Sequence, residues 1–109
     1  MRRRKKDLAT PLNDEEDMKD DIAYAYIFAI KLATVIKKRL AEHSPVILSS
    51  KKLVKRFSHF RIIMGYLQRI FEMERDGAWY IIKREKRNIR KRRITLSKRE
   101  IELISELLS

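Results

Sequence analysis

The residues best suited to chemistry in this chain are cations. Residues 83–93, KREKRNIRKRR, hold eight basic side chains and a single acid, Glu85. A run of like charge this dense repels itself, and an anionic partner lying against it relieves the repulsion. The alternative is a solvated basic loop with no partner. Catalytic residues are scarce by comparison. His43 and His59 stand far apart, and neither has a nucleophile or carboxylate at a useful spacing. There is no glycine-rich phosphate loop and no His-Glu pair on a helix face, so the expectation is a binding protein, not an enzyme, with no cofactor. Asp14, Glu15, Glu16, Asp17, Asp20 and Asp21 cluster in the sequence. Without a glycine turn or EF-hand spacing, that cluster reads as a helix start and not as a metal site. The chain has no cysteine, which excludes disulfides and thiolate-held zinc or iron–sulfur sites.

The whole chain repeats the bias of that segment. Its 109 residues carry 27 Lys and Arg against 15 Asp and Glu, a formal net charge of +12. The length suits one small domain, and the charge implies a polyanionic partner: DNA, RNA or an anionic membrane surface. The longest apolar run, 22–36, is interrupted by Lys31 and is too short for a bilayer. The basic residues Arg2, Arg3, Arg4, Lys5 and Lys6 are followed by Asp7 and the acidic run, where a signal peptide would be apolar. No paired apolar face accompanies the basic residues into lipid, so no membrane partner is expected. The expected location is cytoplasmic, in association with the nucleoid.

The elements that must position these charges follow from periodicity and caps. Residues 1–12 read as a disordered basic arm, of the kind that can lie along phosphates. Residues 13–109 read as one domain. Asn13 is a good N-cap with Glu16 as its capping-box partner, and a helix over 13–43 is stopped by Ser44-Pro45. Ile22, Tyr26, Ala29, Ala33, Ile36 and Leu40 recur at helical spacing as a core stripe, while Tyr24, Ile27, Phe28 and Val35 lie on other faces. A helix apolar on more than one side is buried on more than one side, so these last four are the expected homodimer or partner interface. Val46, Ile47 and Leu48 fit a short strand. A second helix, 49–57, points Leu53, Val54 and Phe57 inward and Lys51, Lys52, Lys55 and Arg56 outward. A third, 59–76, turns Phe60, Ile63, Met64, Leu67 and Phe71 inward and ends at Asp76-Gly77. Residues 79–82 and 94–96 favour strands on either side of the basic run, which makes 78–96 a hairpin with a basic tip. Ser97 and Glu100 form a capping box for a last helix, 97–109.

LSSKKLVKRF (48–57), HFRIIMGYLQRIFEMERDG (59–77) and AWYIIKREKRNIRKRRITLS (78–97), taken in that order, resemble the winged helix-turn-helix family over roughly residues 21–109. The chain is similar to small archaeal or archaeal-virus members, and its helix-to-wing junction to regulators of the multiple-antibiotic-resistance and arsenic-repressor type. The resemblance implies a mostly α fold with a small β-hairpin and a long N-terminal helix. It also implies a recognition helix in the major groove and a wing along the flanking backbone. On this pattern His59, Arg61, Ile62, Tyr66 and Arg69 face the nucleic acid, with Gln68 off to one side. The helix offers no Asn or Gln near its start, so backbone binding is expected ahead of sequence reading. Charge agrees: residues 22–56 sum to +7, 78–93 to +7 and 57–77 to zero. The expected contact set is Lys51, Lys52, Lys55, Arg56, His59, Arg61, Tyr66, Arg69, Lys83, Arg84, Lys86, Arg87, Arg90, Lys91, Arg92 and Arg93. The partner is double-stranded DNA, with RNA left open. Two roles follow. One is a DNA-binding transcriptional regulator or chromatin-like factor. The other is a basic accessory subunit of a replication, transcription or ribosomal assembly, docking through Ile62, Tyr66 and Met73.

Overall fold

A computed structural model describes residues 21–90 and 93–109. The expected basic arm, the helix start at Asn13, and Lys91 and Arg92 lie outside the described residues. The long helix, α1 (Ile22–Glu42), opens on Asp21, whose carboxylate accepts from the Tyr24 amide at 3.2 Å. Asp21 itself is extended, so no helix runs unbroken over 13–43, and the cap is the acid nearest the apolar run. The helix stops at His43, ahead of Pro45, as its sequence requires.

After α1 come β1 (Val46–Ser49), α2 (Ser50–Arg56), α3 (Phe60–Ile70), β2 (Phe71–Asp76), β3 (Trp79–Glu85) and α4 (Lys98–Leu107). The described residues thus form four helices and one three-stranded antiparallel sheet, ordered β1-β3-β2. Ser49 caps α2 by accepting from the Lys52 amide at 3.2 Å, and Ser97 and Glu100 complete the capping box of α4. Beyond α4, Leu108 bridges to Leu48, and the Ser109 amide donates to the Ile47 carbonyl at 2.9 Å. That ties the end of the chain to the sheet.

The third helix is shorter than expected, ending at Ile70 and not at Asp76. Glu72, Met73, Glu74 and Arg75 all favour helices locally, yet they stand in β2 and pair with β3. Two facts override propensity. Phe71 is fully buried and Met73 packs against the core, an alternation that suits a half-buried strand. Glu72 and Glu74 meet Arg84 at 2.9 Å and Lys83 at 2.8 Å across the hairpin. Gly77, expected as a helix terminator, is the hairpin turn, with φ at +62°. The hairpin therefore spans 71–85 and not 78–96, and residues 94–96 form no strand.

The core lies between α1, α2, α3, α4 and the inner face of the sheet. From α1 it takes Ala25, Phe28, Ala29, Leu32, Ala33 and Ile36, whereas Ile22 and Tyr26, expected inward, are more than half exposed. Val54, also expected inward, faces solvent, as does Ile101 of α4. Phe28, expected at an oligomer seam, is fully enclosed and its ring centroid lies 4.7 Å from that of Phe57. Phe28→Ala is expected to lower unfolding free energy by about 3–5 kcal/mol without changing oligomeric mass. Urea unfolding and light scattering check the two halves of that statement. Tyr24 and Val35 are also packed against the core, leaving Ile27 as the exposed member of the expected interface set.

Candidate nucleic-acid interface

The basic segment after β3 is not the tip of the hairpin. The tip is Gly77-Ala78, where the Ser50 amide and hydroxyl both donate to the Ala78 carbonyl, at 3.0 and 2.9 Å. That seats the turn against the first turn of α2. Arg75 is held there too, its Nε donating to the Gly77 carbonyl at 3.1 Å and its guanidinium lying over the Tyr80 ring. The basic residues leave from the opposite end of β3. There the amides of Lys86 and Arg87 donate to the Ile70 carbonyl at 2.6 and 3.3 Å, stapling the segment to the last turn of α3. The Ile89 amide donates to Glu85 at 3.3 Å, and Lys37 of α1 donates to the Ile89 carbonyl and sits 3.7 Å from Glu85. The tract is a strap anchored by its backbone, with the side chains of Lys86, Arg87, Arg90 and Arg93 left exposed.

The far end of the strap is fixed through Glu100. This carboxylate is buried and accepts from Lys31 at 2.9 and 3.0 Å, from the Ser97 amide at 2.9 Å and from the Tyr24 hydroxyl. Burial alone would raise its pKa, but the hydrogen bonds from Tyr24, Ser97 and Lys31, with the Lys31 charge, outweigh it and hold the group below its usual range. The Tyr24 hydroxyl is pushed above its own usual range, by burial first and then by Glu100.

The expected contact residues divide by their partners. Lys83 and Arg84 pair with β2 carboxylates, Arg56 grips Glu106 at 2.8 and 2.9 Å, and Lys52 reaches the Glu106 carbonyl at 3.4 Å. Exposed pairs of this kind contribute little, so a phosphate can compete for these cations. Lys51, Lys55, Arg61, Arg69, Lys86, Arg87, Arg90 and Arg93 are exposed and have no carboxylate at ion-pair distance among the described residues. His59 stands half-buried at the start of α3 and makes no capping bond with its side chain.

The outward face of α3 consists of Arg61, Gln68 and Arg69, with Gly65 between them. Tyr66 and Ile62, expected on that face, are half-buried and packed against the core. Gln68, expected off to one side, is exposed on α3 as the two arginines are. Phasing the helix on Ile63, Met64, Leu67 and Ile70, its four buried residues, places Gln68 outward; phasing it on the half-buried Phe60 does not. The strap enters beside this face, because Ile70, which takes its two amides, directly follows Arg69.

No family model, curated protein or solved structure matches this chain. Its surface therefore speaks through its own chemistry. Among the described residues no three His, Asp or Glu side chains converge as a metal site would need, and no helix is long and apolar enough to cross a membrane. A shallow depression of about 290 Å³ on the sheet is lined by Ile47, Trp79 and Ile81, with Asp76 and Ser109. The arrangement that can do chemistry is the array of outward cations, whose hydrogen-bond donors suit phosphate oxygens.

Proposed function

We propose that this chain is a nucleic-acid-binding protein that holds double-stranded DNA chiefly by its phosphates, as a winged helix-turn-helix regulator or chromatin-like factor associated with the nucleoid. One observation carries the reading: eight exposed cations without a carboxylate partner among the described residues, on α2, on the face of α3 and on the strap stapled beside it. Binding cations left unneutralised on one rigid frame is what a polyanion rewards. The order of α1, β1, α2, α3 and the β2–β3 hairpin, with β3 central in the sheet, supports the winged-helix reading. The hairpin is blunt and carries Asp76 at its turn, so the strap takes the role first assigned to a basic wing tip.

A second reading is favoured by the exposed Ile22, Tyr26 and Ile27 on the first turns of α1. Such a patch fits a protein partner, either a second copy or a larger replication, transcription or ribosomal assembly in which this chain is a basic subunit.

Titration against a random DNA duplex at two salt concentrations tests the main reading. Binding is expected to weaken with salt by about 0.9 logarithmic units per phosphate contact, and unrelated competitor DNA is expected to displace the labelled duplex. Absent or salt-insensitive binding rejects it, and equal binding to an RNA duplex widens the partner class.

A further inference from the structure

Gly65 stands in the interior of α3, five residues from either end, where glycine weakens a helix relative to alanine. The fold gives no reason for it. Beyond its chain neighbours and the helix's own backbone, a Cβ built at Gly65 meets no atom within 4 Å, and the backbone there is ordinary helix, not the left-handed conformation that Gly77 adopts. Nothing among the described residues needs the space that the missing side chain leaves.

The space faces outward. Ile63, Met64, Leu67 and Ile70 turn into the core, and Gly65 lies at the middle of the opposite face. Arg61 stands one turn before it and Arg69 one turn after, roughly 12 Å apart along the axis, with Gln68 beside them. Neither arginine has a carboxylate partner among the described residues. Two long cationic arms with bare backbone between them make a saddle. An α-helix 10–12 Å across fits the major groove of B-form DNA, about 12 Å wide, and enters deepest where it has no side chain. The deep, narrow major groove of A-form RNA does not admit it.

We infer that Gly65 is the point of closest approach between α3 and duplex DNA, its bare backbone set against the groove while Arg61 and Arg69 reach phosphates on either side. The inference rests on the nucleic-acid reading proposed above and adds one demand to it. A side chain at position 65 must hold the helix off the DNA while improving the helix itself, so stability and affinity move in opposite directions.

The test compares the full chain with its Gly65→Ala and Gly65→Met variants in thermal melting and in titration with a random DNA duplex. Ser105→Ala, exposed on α4, serves as a helix-strengthening control. Gly65→Ala is expected to raise Tm by about 4–8 °C and to weaken DNA binding by about tenfold, Gly65→Met to weaken it further, and Ser105→Ala to bind as the unaltered chain does. If both variants at 65 bind with unaltered affinity, the glycine is incidental and the inference falls while the nucleic-acid reading stands. A lowered Tm for Gly65→Ala also overturns it, since the glycine then serves the fold. If the unaltered chain fails to bind DNA, both fall together.

Discussion

Alanine at Lys86, Arg87, Arg90 and Arg93 together is expected to weaken binding to every duplex sequence by on the order of 10³-fold at 0.1 M salt. It is also expected to flatten the salt dependence by about three to four units. Each side chain is exposed and without a carboxylate partner among the described residues, so no internal ion pair compensates its loss. The fold is expected to survive, because the strap is anchored through the Lys86 and Arg87 amides and the Ile89 carbonyl, none of which the substitutions touch. Fluorescence anisotropy across a salt series, with a melting curve for each protein, measures both effects. Unchanged affinity would remove the strap from the interface. A loss confined to some sequences would instead assign it a part in base reading.

Glu100→Gln is expected to cost about 2–3 kcal/mol of stability at neutral pH, measured by urea unfolding. The substitution keeps the shape but removes the charge that Lys31 meets at 2.9 Å, and it puts an amide where Tyr24 and Ser97 now donate to a carboxylate. Lys31 is about a fifth exposed, which keeps the loss below that of a fully buried pair. The pH dependence follows with a definite sign. Glu100 titrates lower in the folded chain than in the unfolded one, so its contribution is fully present above the ordinary glutamate range. It is lost as pH falls through the depressed folded value. Stability of the unaltered chain is therefore expected to fall more steeply on acidification than that of Glu100→Gln. Parallel profiles would mean that Glu100 titrates alike in the folded and the unfolded chain. Because Glu100 also fixes the far end of the strap through Ser97, the variant is expected to bind duplex more weakly as well.

The two sets of residues differ in how far they could be read before folding. The eight cations in residues 83–93 raise the expectation of a polyanion partner with no structural knowledge, because charge density needs no neighbour to define it. The caps at Ser49 and Ser97, the capping box with Glu100, the stop before Pro45 and the short strand beginning at Val46 are likewise local, each resting on residues within one turn. They stand where the sequence sets them. Asp21 caps α1, since several acids in one run compete for that role and only contact with the apolar helix selects among them.

Tertiary structure decided the rest, and in each case through a partner far along the chain. Residues 71–76 favour helix by composition and became a strand because β3 offered hydrogen bonds and two cross-strand cations. That exchange moved the hairpin turn to Gly77 and turned the expected basic tip into a strap, an outcome invisible in residues 78–96 alone. Phe28 went inward because Phe57 stood opposite, and Ile27 stayed out because nothing among the described residues covered it. Glu100 became a buried hub only when α4 docked on α1, 69 residues from Lys31 and 76 from Tyr24. Charge and caps are properties of a short stretch and were fixed by it. Register, burial and the facing of Gln68 depend on which distant surfaces meet, and those were settled by packing.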